Sequence, residues 1–328
     1  MNFKHLIYFL TVVDTQNFSK AANKLYISQQ SLSEAINKLE STYNIQLFNR
    51  TQPLTLTYAG ECFAEMASRL LLEKTRMEAR LNAISNYKEG QFCVGLPPEY
   101  GDRLLPVLIP RFQAKYPDVK FKWSMSNQHT LEHQFIRGEL DLIVGFGNFS
   151  YKEISVIHQI PDRTFLTISE KLLRELYPFN LEEKRKELQK GADIADFRTI
   201  PFLLLLNNGN KCRFRRTIDN LFSRNGIEPV VCYEGPGMDI LLNLSFNGMG
   251  AAFYPELLFT PEIIERASYT EERAYIFPLN DKQANRTLVI GCHENIPLTA
   301  YSQDFVSYFV ETCSSIITSH LKIHNTVK

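Results

Sequence analysis

The sequence predicts an α/β protein with a small helical head: an N-terminal winged helix-turn-helix, a long linker helix, then a two-subdomain α/β domain. Three observations lead there. Short amphipathic segments fill residues 1–45 and are followed by two alternating, strand-like runs. Residues 58–87 contain no proline and repeat apolar residues every seven positions. From Gln91 onward, strands of the buried type alternate with helical segments.

The head comes first. Leu6, Phe9, Leu10 and Val13 recur at helical spacing. Asn17-Phe18-Ser19 breaks that pattern, and Ser19 is the expected N-cap of a short second helix bearing Ala21, Ala22 and Leu25. Tyr26-Ile27-Ser28 makes the turn into a third helix, which Ser28 caps and which Ile27 and Leu32 staple. Leu32, Ala35, Ile36 and Leu39 face inward, leaving Gln29, Gln30, Ser33, Asn37 and Lys38 outside. Two helices around a tight turn, the second presenting amides and hydroxyls, suit reading of the DNA major groove. A small bundle with a merely solvated polar face would show the same helical pattern. The next residues favour the first reading: Ile45–Arg50 and Pro53–Thr57 alternate as two strands around Thr51-Gln52 and form a wing. Arg50, Thr51 and Gln52 would then lie beside the phosphates.

The run Phe18-Ser19-Lys20-Ala21-Ala22-Asn23-Lys24-Leu25-Tyr26-Ile27-Ser28-Gln29-Gln30-Ser31-Leu32-Ser33 carries a wider resemblance, with Ile36, Leu39-Glu40, Leu47-Phe48-Asn49-Arg50 and Leu56-Thr57-Tyr58-Ala59-Gly60. Together these residues resemble the head of LysR-type transcriptional regulators. The resemblance implies that Gln29, Gln30 and Ser33 read or flank bases while Ser28, Arg50 and Thr57 hold phosphates. Gln30 stands where the family usually has Pro, and Asn44 where it usually has Gly; Asn tolerates the left-handed turn needed there.

In the linker, Phe63, Leu70, Met77 and Ile84 repeat every seven residues, supported by Met66 and Leu81. Such a seam packs against another helix. The helix would run roughly 45 Å at 1.5 Å per residue, too long for the head to absorb. A homodimer follows, and the resemblance implies a homotetramer on an interrupted palindrome of double-stranded DNA, with RNA polymerase as a further partner.

Lys88-Glu89-Gly90 reads as a hinge. Beyond it, strands are expected at 92–96, 119–123, 141–145, 165–168, 202–206, 275–279 and 287–292. Helices are expected at 103–115, 131–137, 181–190, 213–224 and 304–318, with a mainly parallel sheet. Tyr116-Pro117-Asp118-Val119, Gly138-Glu139-Leu140-Asp141-Leu142 and Gly248-Met249-Gly250-Ala251-Ala252 resemble the LysR effector domain, itself similar to periplasmic binding proteins. The expected division is 1–58 for the head, 59–90 for the linker and 91–328 for the effector domain. Within the last, subdomain I covers 91–162 and 277–328, and subdomain II covers 163–276.

Ligands sit at strand C-terminal ends in such sheets, which points to Glu99, Tyr100, Asn127, Phe146, Asn207, Asn208, Asn210 and Met238. Pro97-Pro98 removes two N–H donors that relatives use for a carboxylate, and Glu99 adds an acid. An aromatic or amine-bearing effector is the expectation.

Composition is that of an ordinary soluble protein: 44% hydrophobic, 22% charged, with 36 basic and 36 acidic residues. That balance argues against indiscriminate coating of nucleic acid. Residues 1–60 carry five basic against three acidic side chains, a weak local excess in the right place. The six cysteines include no Cys-x-x-Cys pair, which suits reduced, mostly buried thiols in the cytoplasm. No membrane span and no signal peptide are expected. His129 and His133 have the spacing of two metal ligands on a helix but lack the acid between them that a zinc protease needs. No cofactor and no enzymatic activity are expected. A ligand-binding protein whose head no longer reads DNA is the alternative, and broken head motifs would be its mark.

Overall fold

The computed structural model describes residues 2–49, 53–84, 90–206, 212–260, 263, 273–294 and 296–326. In the head, helices α1 (Phe3–Thr15), α2 (Phe18–Lys24) and α3 (Gln29–Tyr43) lead to a two-stranded wing, β1 (Phe48–Asn49) against β2 (Thr55–Leu56). The cap of α2 is Asn17, whose side chain accepts from Lys20 N–H, so the sequence-based choice of Ser19 is two residues late. Asn17 is the last extended residue before the helix, and its side-chain oxygen reaches the orphan donor three residues on. Ser28 caps α3 as expected. Asn44 ends α3 at φ 53°, the left-handed turn anticipated for it.

Leu6, Phe9, Leu10 and Val12 of α1 pack on Ala21 and Ala22, on Leu32, Ile36 and Leu39, and on Leu47 and Phe48 of the wing. Gly60 admits the wing to this core: a Cβ there would lie 2.1 Å from the Leu47 carbonyl oxygen. That explains the small residue at the start of helix α4 (Tyr58–Ile84).

The rest of the chain makes two five-stranded sheets. One, in the order β4-β3-β5-β12-β6, is built from β3 (Gly90–Leu96), β4 (Val119–Met125), β5 (Leu142–Phe146), β6 (Ile154–Asp162) and β12 (Arg286–His293). The other, in the order β11-β7-β10-β8-β9, takes β7 (Thr164–Ser169), β8 (Pro201–Leu205), β9 (Val230–Gly235), β10 (Ala251–Pro255) and β11 (Ala274–Pro278). In each, four strands run one way and one, β12 in the first sheet and β7 in the second, runs the other. Two of the four pairings are antiparallel, so the sheets are mixed, where the sequence suggested mainly parallel. The antiparallel pairings are made by the crossing strands, β6 into β7 and β11 into β12, which run from one sheet into the other. The chain passes between sheets at Asp162–Thr164 and returns over 279–285.

Helices α5 (Pro98–Lys115), α6 (Gln128–Ile136) and α11 (Ala300–Thr326) accompany the first sheet. The second carries α7 (Glu170–Leu176), α8 (Leu181–Leu188), α9 (Arg213–Arg224) and α10 (Met238–Phe246). Helix α5 begins five residues earlier than expected, because Pro98 at its first position is pre-set for helical φ and has no N–H to orphan. Buried side chains of both sheets join one contiguous apolar cluster, so the two subdomains are closed on each other. The hinge residues Lys88 and Glu89 lie outside the described residues.

Cys292 and Cys313 are buried, Cys93 and Cys212 half-buried, and Cys62 and Cys232 exposed. The thiols are therefore less buried than the sequence suggested.

Burial pushes the Asp141 carboxyl up to about 6, against the opposing effect of the Cys93 N–H, which donates to it at 2.7 Å. A carboxyl held above its ordinary value of about 4 stabilises the fold only while protonated. That contribution is full below pH 4 and is lost as pH rises towards 6. Asp141→Asn should therefore gain stability relative to wild type between pH 4 and pH 7, read as a widening difference in Tm. A difference that does not change with pH would count against this assignment.

Candidate nucleic-acid interface and ligand cleft

Helix α3 presents Gln29, Gln30, Asn37 and Lys38 to solvent, with Ser33 half-buried beside them. Gln29 and Gln30 are already held. Ser19 Oγ, from α2, donates to Gln29 Oε1 at 2.8 Å, and Gln30 Nε2 donates to Glu34 Oε1 at 3.1 Å. Ser28 Oγ accepts from Ser31 N–H at 3.1 Å and lies 2.8 Å from Ser31 Oγ. Thr57 is also committed: its hydroxyl donates to the Gln46 carbonyl at 2.6 Å and accepts from Gly60 N–H at 3.0 Å. The wing tip, Arg50, Thr51 and Gln52, lies outside the described residues. Tyr26, in the turn between α2 and α3, is almost fully exposed and sits at φ 55°, an uncommon conformation for an aromatic residue.

On α4 the expected seam divides. Phe63 turns into the head, its ring edge-on to Phe9 at 5.0 Å, and is not available for a partner helix. Met66, Leu70 and Met77 stay exposed, at 64%, 43% and 56%. The side chains of Leu81 and Ile84 lie outside the described residues.

Between the subdomains, Arg286 is the central group. Its guanidinium lies 4.5 Å from the ring centroids of both Phe146 and Phe214, one from each subdomain. Its Nη2 donates to Asp162 Oδ2 at 3.0 Å and to the Tyr100 hydroxyl. Tyr100 in turn donates to Asp162, and Asp162 Oδ1 accepts from Leu257 N–H at 3.0 Å. Burial, opposed by the Arg286 charge, holds the Tyr100 hydroxyl well above its usual range, so it stays protonated as a donor. Arg286 Nε is buried with no hydrogen-bond partner among the described residues.

Two further contacts bridge the cleft. Arg213 Nη1 donates to the Phe146 carbonyl at 2.6 Å and to Gln128 Oε1 at 3.2 Å. Arg103 pairs with Asp239 at 2.5 Å. Of the sequence-based cleft residues, Tyr100 is fully buried and spent on the internal network. Asn127 is spent on capping α6. Glu99 is exposed in the first turn of α5, where a negative charge suits the helix dipole. Phe146 is half-buried and Met238 buried at the start of α10. Asn207, Asn208 and Asn210 lie outside the described residues. Sequence reasoning singled out the stretch 126–129, which holds Gln128, but missed Asp162, Phe214 and Arg286, whose partners are far away along the chain. It offered Arg213 only as a charge.

Helix α6 joins the cleft to the head. At its start Gln128 accepts from Phe146 N–H (3.1 Å) and from Arg213. At its end Arg137, 7% exposed, donates through both terminal nitrogens to the two carboxylate oxygens of Asp14 on α1. His129 and His133 face each other along α6 with Nε2 atoms 3.2 Å apart, and the Tyr151 hydroxyl is 3.3 Å from His133 Nδ1. No group of three or more potential metal ligands occurs among the described residues. Nor is any helix among them long and apolar enough to cross a membrane.

A winged helix-turn-helix joined by a long helix to a two-lobed α/β domain defines a DNA-binding transcriptional regulator with an effector-binding domain. Residues 3–61 match the bacterial regulatory helix-turn-helix protein, lysR family, and residues 85–314 match the LysR substrate binding domain. The chain belongs to the LysR family of transcriptional regulators. It is 28% identical to the uncharacterized HTH-type transcriptional regulator YcgK of Bacillus subtilis (strain 168), over 79% of this chain and 81% of YcgK. It is also 28% identical to the HTH-type transcriptional regulator BenM of Acinetobacter baylyi, over 78% and 80%. Full-length CbnR, solved in complex with its target DNA, shares the fold at 19% identity with a TM-score of 0.52, covering 96% of this chain and all of CbnR.

The Ser19–Gln29 bond holds the Gln29 amide in place at the exposed start of α3. Ser19→Ala should leave Tm unchanged and weaken binding to a specific duplex by roughly two- to tenfold, read by gel shift. Unaltered affinity would mean that Gln29 needs no such support.

Proposed function

We propose that the chain acts as a symmetric assembly whose grip on an interrupted palindrome is set by a small molecule bound between the two subdomains. Gln29, Gln30, Ser33, Asn37 and Lys38 face base edges and flanking phosphates in the major groove, while Ser28, Thr57 and the wing residues Arg50, Thr51 and Gln52 position the head on the backbone. Two chains pair along α4 through Met66, Leu70 and Met77, with Leu81 and Ile84 continuing the same repeat. Pairs of dimers meet through the effector domains. The exposed apolar residues of the two edge strands support that, Trp123 and Met125 on β4 and Val230, Val231 and Tyr233 on β9. The assembly works in the cytoplasm, and RNA polymerase is its partner at the promoter.

The cleft suits a ligand with an aromatic face, to lie against Phe146, and an acceptor for Arg213 or for the unpaired Nε of Arg286. That keeps the aromatic half of the sequence expectation. The amine half loses its support, since Glu99 points to solvent and the charges bridging the cleft are largely guanidinium groups.

One observation carries the coupling: a single short helix, α6, touches the cross-cleft residue Arg213 at one end and the head residue Asp14 at the other. A ligand that displaces Arg213 from Gln128 biases α6, and through Asp14 it biases α1. It can do so only by its differential affinity for the two arrangements.

Footprinting on the region upstream of the chain's own gene tests the DNA-reading role. Wild type should protect a dyad, and the Gln29→Ala, Ser33→Ala double variant should lose it. The coupling is tested by Asp14→Arg, Arg137→Asp and their combination. Each single variant should still bind DNA but lose its response to effector, and the charge-swapped pair should recover most of that response. Intact responses in the single variants would disprove the route through α6.

A further inference from the structure

Glu34 is the acid on the DNA-facing side of α3, and neither the head motif nor the proposed contacts give it a role. The helix buries Leu32, Ile36 and Leu39. At 100° per residue, Glu34 lies about 200° around the axis from both Leu32 and Ile36, at the middle of the face turned away from the core. It is exposed there and has no salt bridge among the described residues, although Lys38 stands one turn on. Among the described residues its partner is Gln30, whose Nε2 donates to Glu34 Oε1 at 3.1 Å from the preceding turn. The carboxylate is therefore fixed in direction by an amide without being neutralised.

A bare negative charge on a surface that approaches DNA is repelled by the phosphates and weakens binding to every sequence alike. One base-edge feature of the major groove offsets that repulsion. Cytosine presents its N4 amino group as a donor, and an ionised carboxylate is an acceptor only. Adenine also offers an amino donor, but paired with the N7 acceptor, which a carboxylate cannot satisfy and an amide can.

We propose that Glu34 is a specificity-determining residue that reads a cytosine in each half-site, with Gln30 as its positioning residue. The inference rests on α3 entering the major groove. Gln30 then has two tasks, steering the carboxylate through one N–H and keeping its own oxygen and second N–H for a neighbouring base. Guanine, adenine and thymine all turn an acceptor towards the same space, so the charge also excludes them.

Selection of binding sites from a randomised duplex library tests this with full-length wild type, Glu34→Ala, Glu34→Gln and Gln30→Ala. Wild type should fix one G·C pair per half-site, preferring cytosine by roughly five- to a hundredfold. Glu34→Ala should lose that preference and keep the rest of the motif. Glu34→Gln should move it towards A·T, and Gln30→Ala should weaken it. N4-methylcytosine at that position, which blocks the groove-facing donor, should reduce wild-type affinity by a similar factor and leave Glu34→Ala unaffected. If Glu34→Ala instead tightens binding to all sequences and leaves the motif unchanged, the carboxylate is only a repulsive charge and the proposal fails. A wild type that enriches no motif would overturn the major-groove reading by α3, and the role of Glu34 with it.

Discussion

The pairing of Asp162 with Arg286 is the constraint on which the two-lobed domain depends. Asp162 ends the strand that leaves the first sheet, Arg286 begins the strand that returns to it, and the two are cross-strand neighbours. Both side chains are buried, at 0% and 9% exposure. Removing one partner of such a pair leaves an uncompensated interior charge, at a penalty of about 3–5 kcal/mol. The pair therefore ties the outgoing and returning crossings into one junction. A second pair, Arg163 with the buried Glu256, fastens the same junction to the opposite sheet. Motion of one lobe relative to the other has to take place around these two anchored points.

Above that junction the contacts are of another kind. Phe146 and Phe214, from different subdomains, both lie against the Arg286 guanidinium. Cation–π contacts are worth about 2 kcal/mol when desolvated and about half that or less when exposed, so opening the lobes forfeits part of them. The more exposed Arg103–Asp239 and Arg213–Phe146 contacts are weaker still, as surface pairs are. A buried charged base beneath more exposed closing contacts suits an effector-binding domain.

The parts legible in the sequence were those set by local rules. Helix α9 runs from Arg213 to Arg224 as read, because Phe214, Ile218, Leu221 and Phe222 mark one face without interruption. Ser28 announced the start of α3 by residue type, and Asn44 its end through the family resemblance, which puts a left-handed turn there. Strand β9 was missed, since it lies at an edge, its residues are exposed on both faces, and no alternation marks it. Strand β6 was missed for a similar reason: only Ile154, Ile160 and Asp162 are buried along it. Phe63 obeys the seven-residue spacing, yet the head core claims it before any partner helix can. The cleft was least legible, because Tyr100, Asp162 and Arg286 acquire meaning only from one another across long stretches of chain, and no local pattern records such a meeting.

Helix α6 is short, and its two functional ends, Gln128 and Arg137, are nine positions apart in sequence. At 100° per residue they point in directions about 180° apart around the axis. The helix is thus a partition, with the cleft on one side and the head on the other. Rolling it would swing the two ends in opposite senses, while sliding it sideways would press one contact and pull the other. With both contacts engaged, neither movement is free. In the coupling proposed above, α6 gears the lobes to the head, and the sense of that gearing is fixed by the number of residues between its two ends.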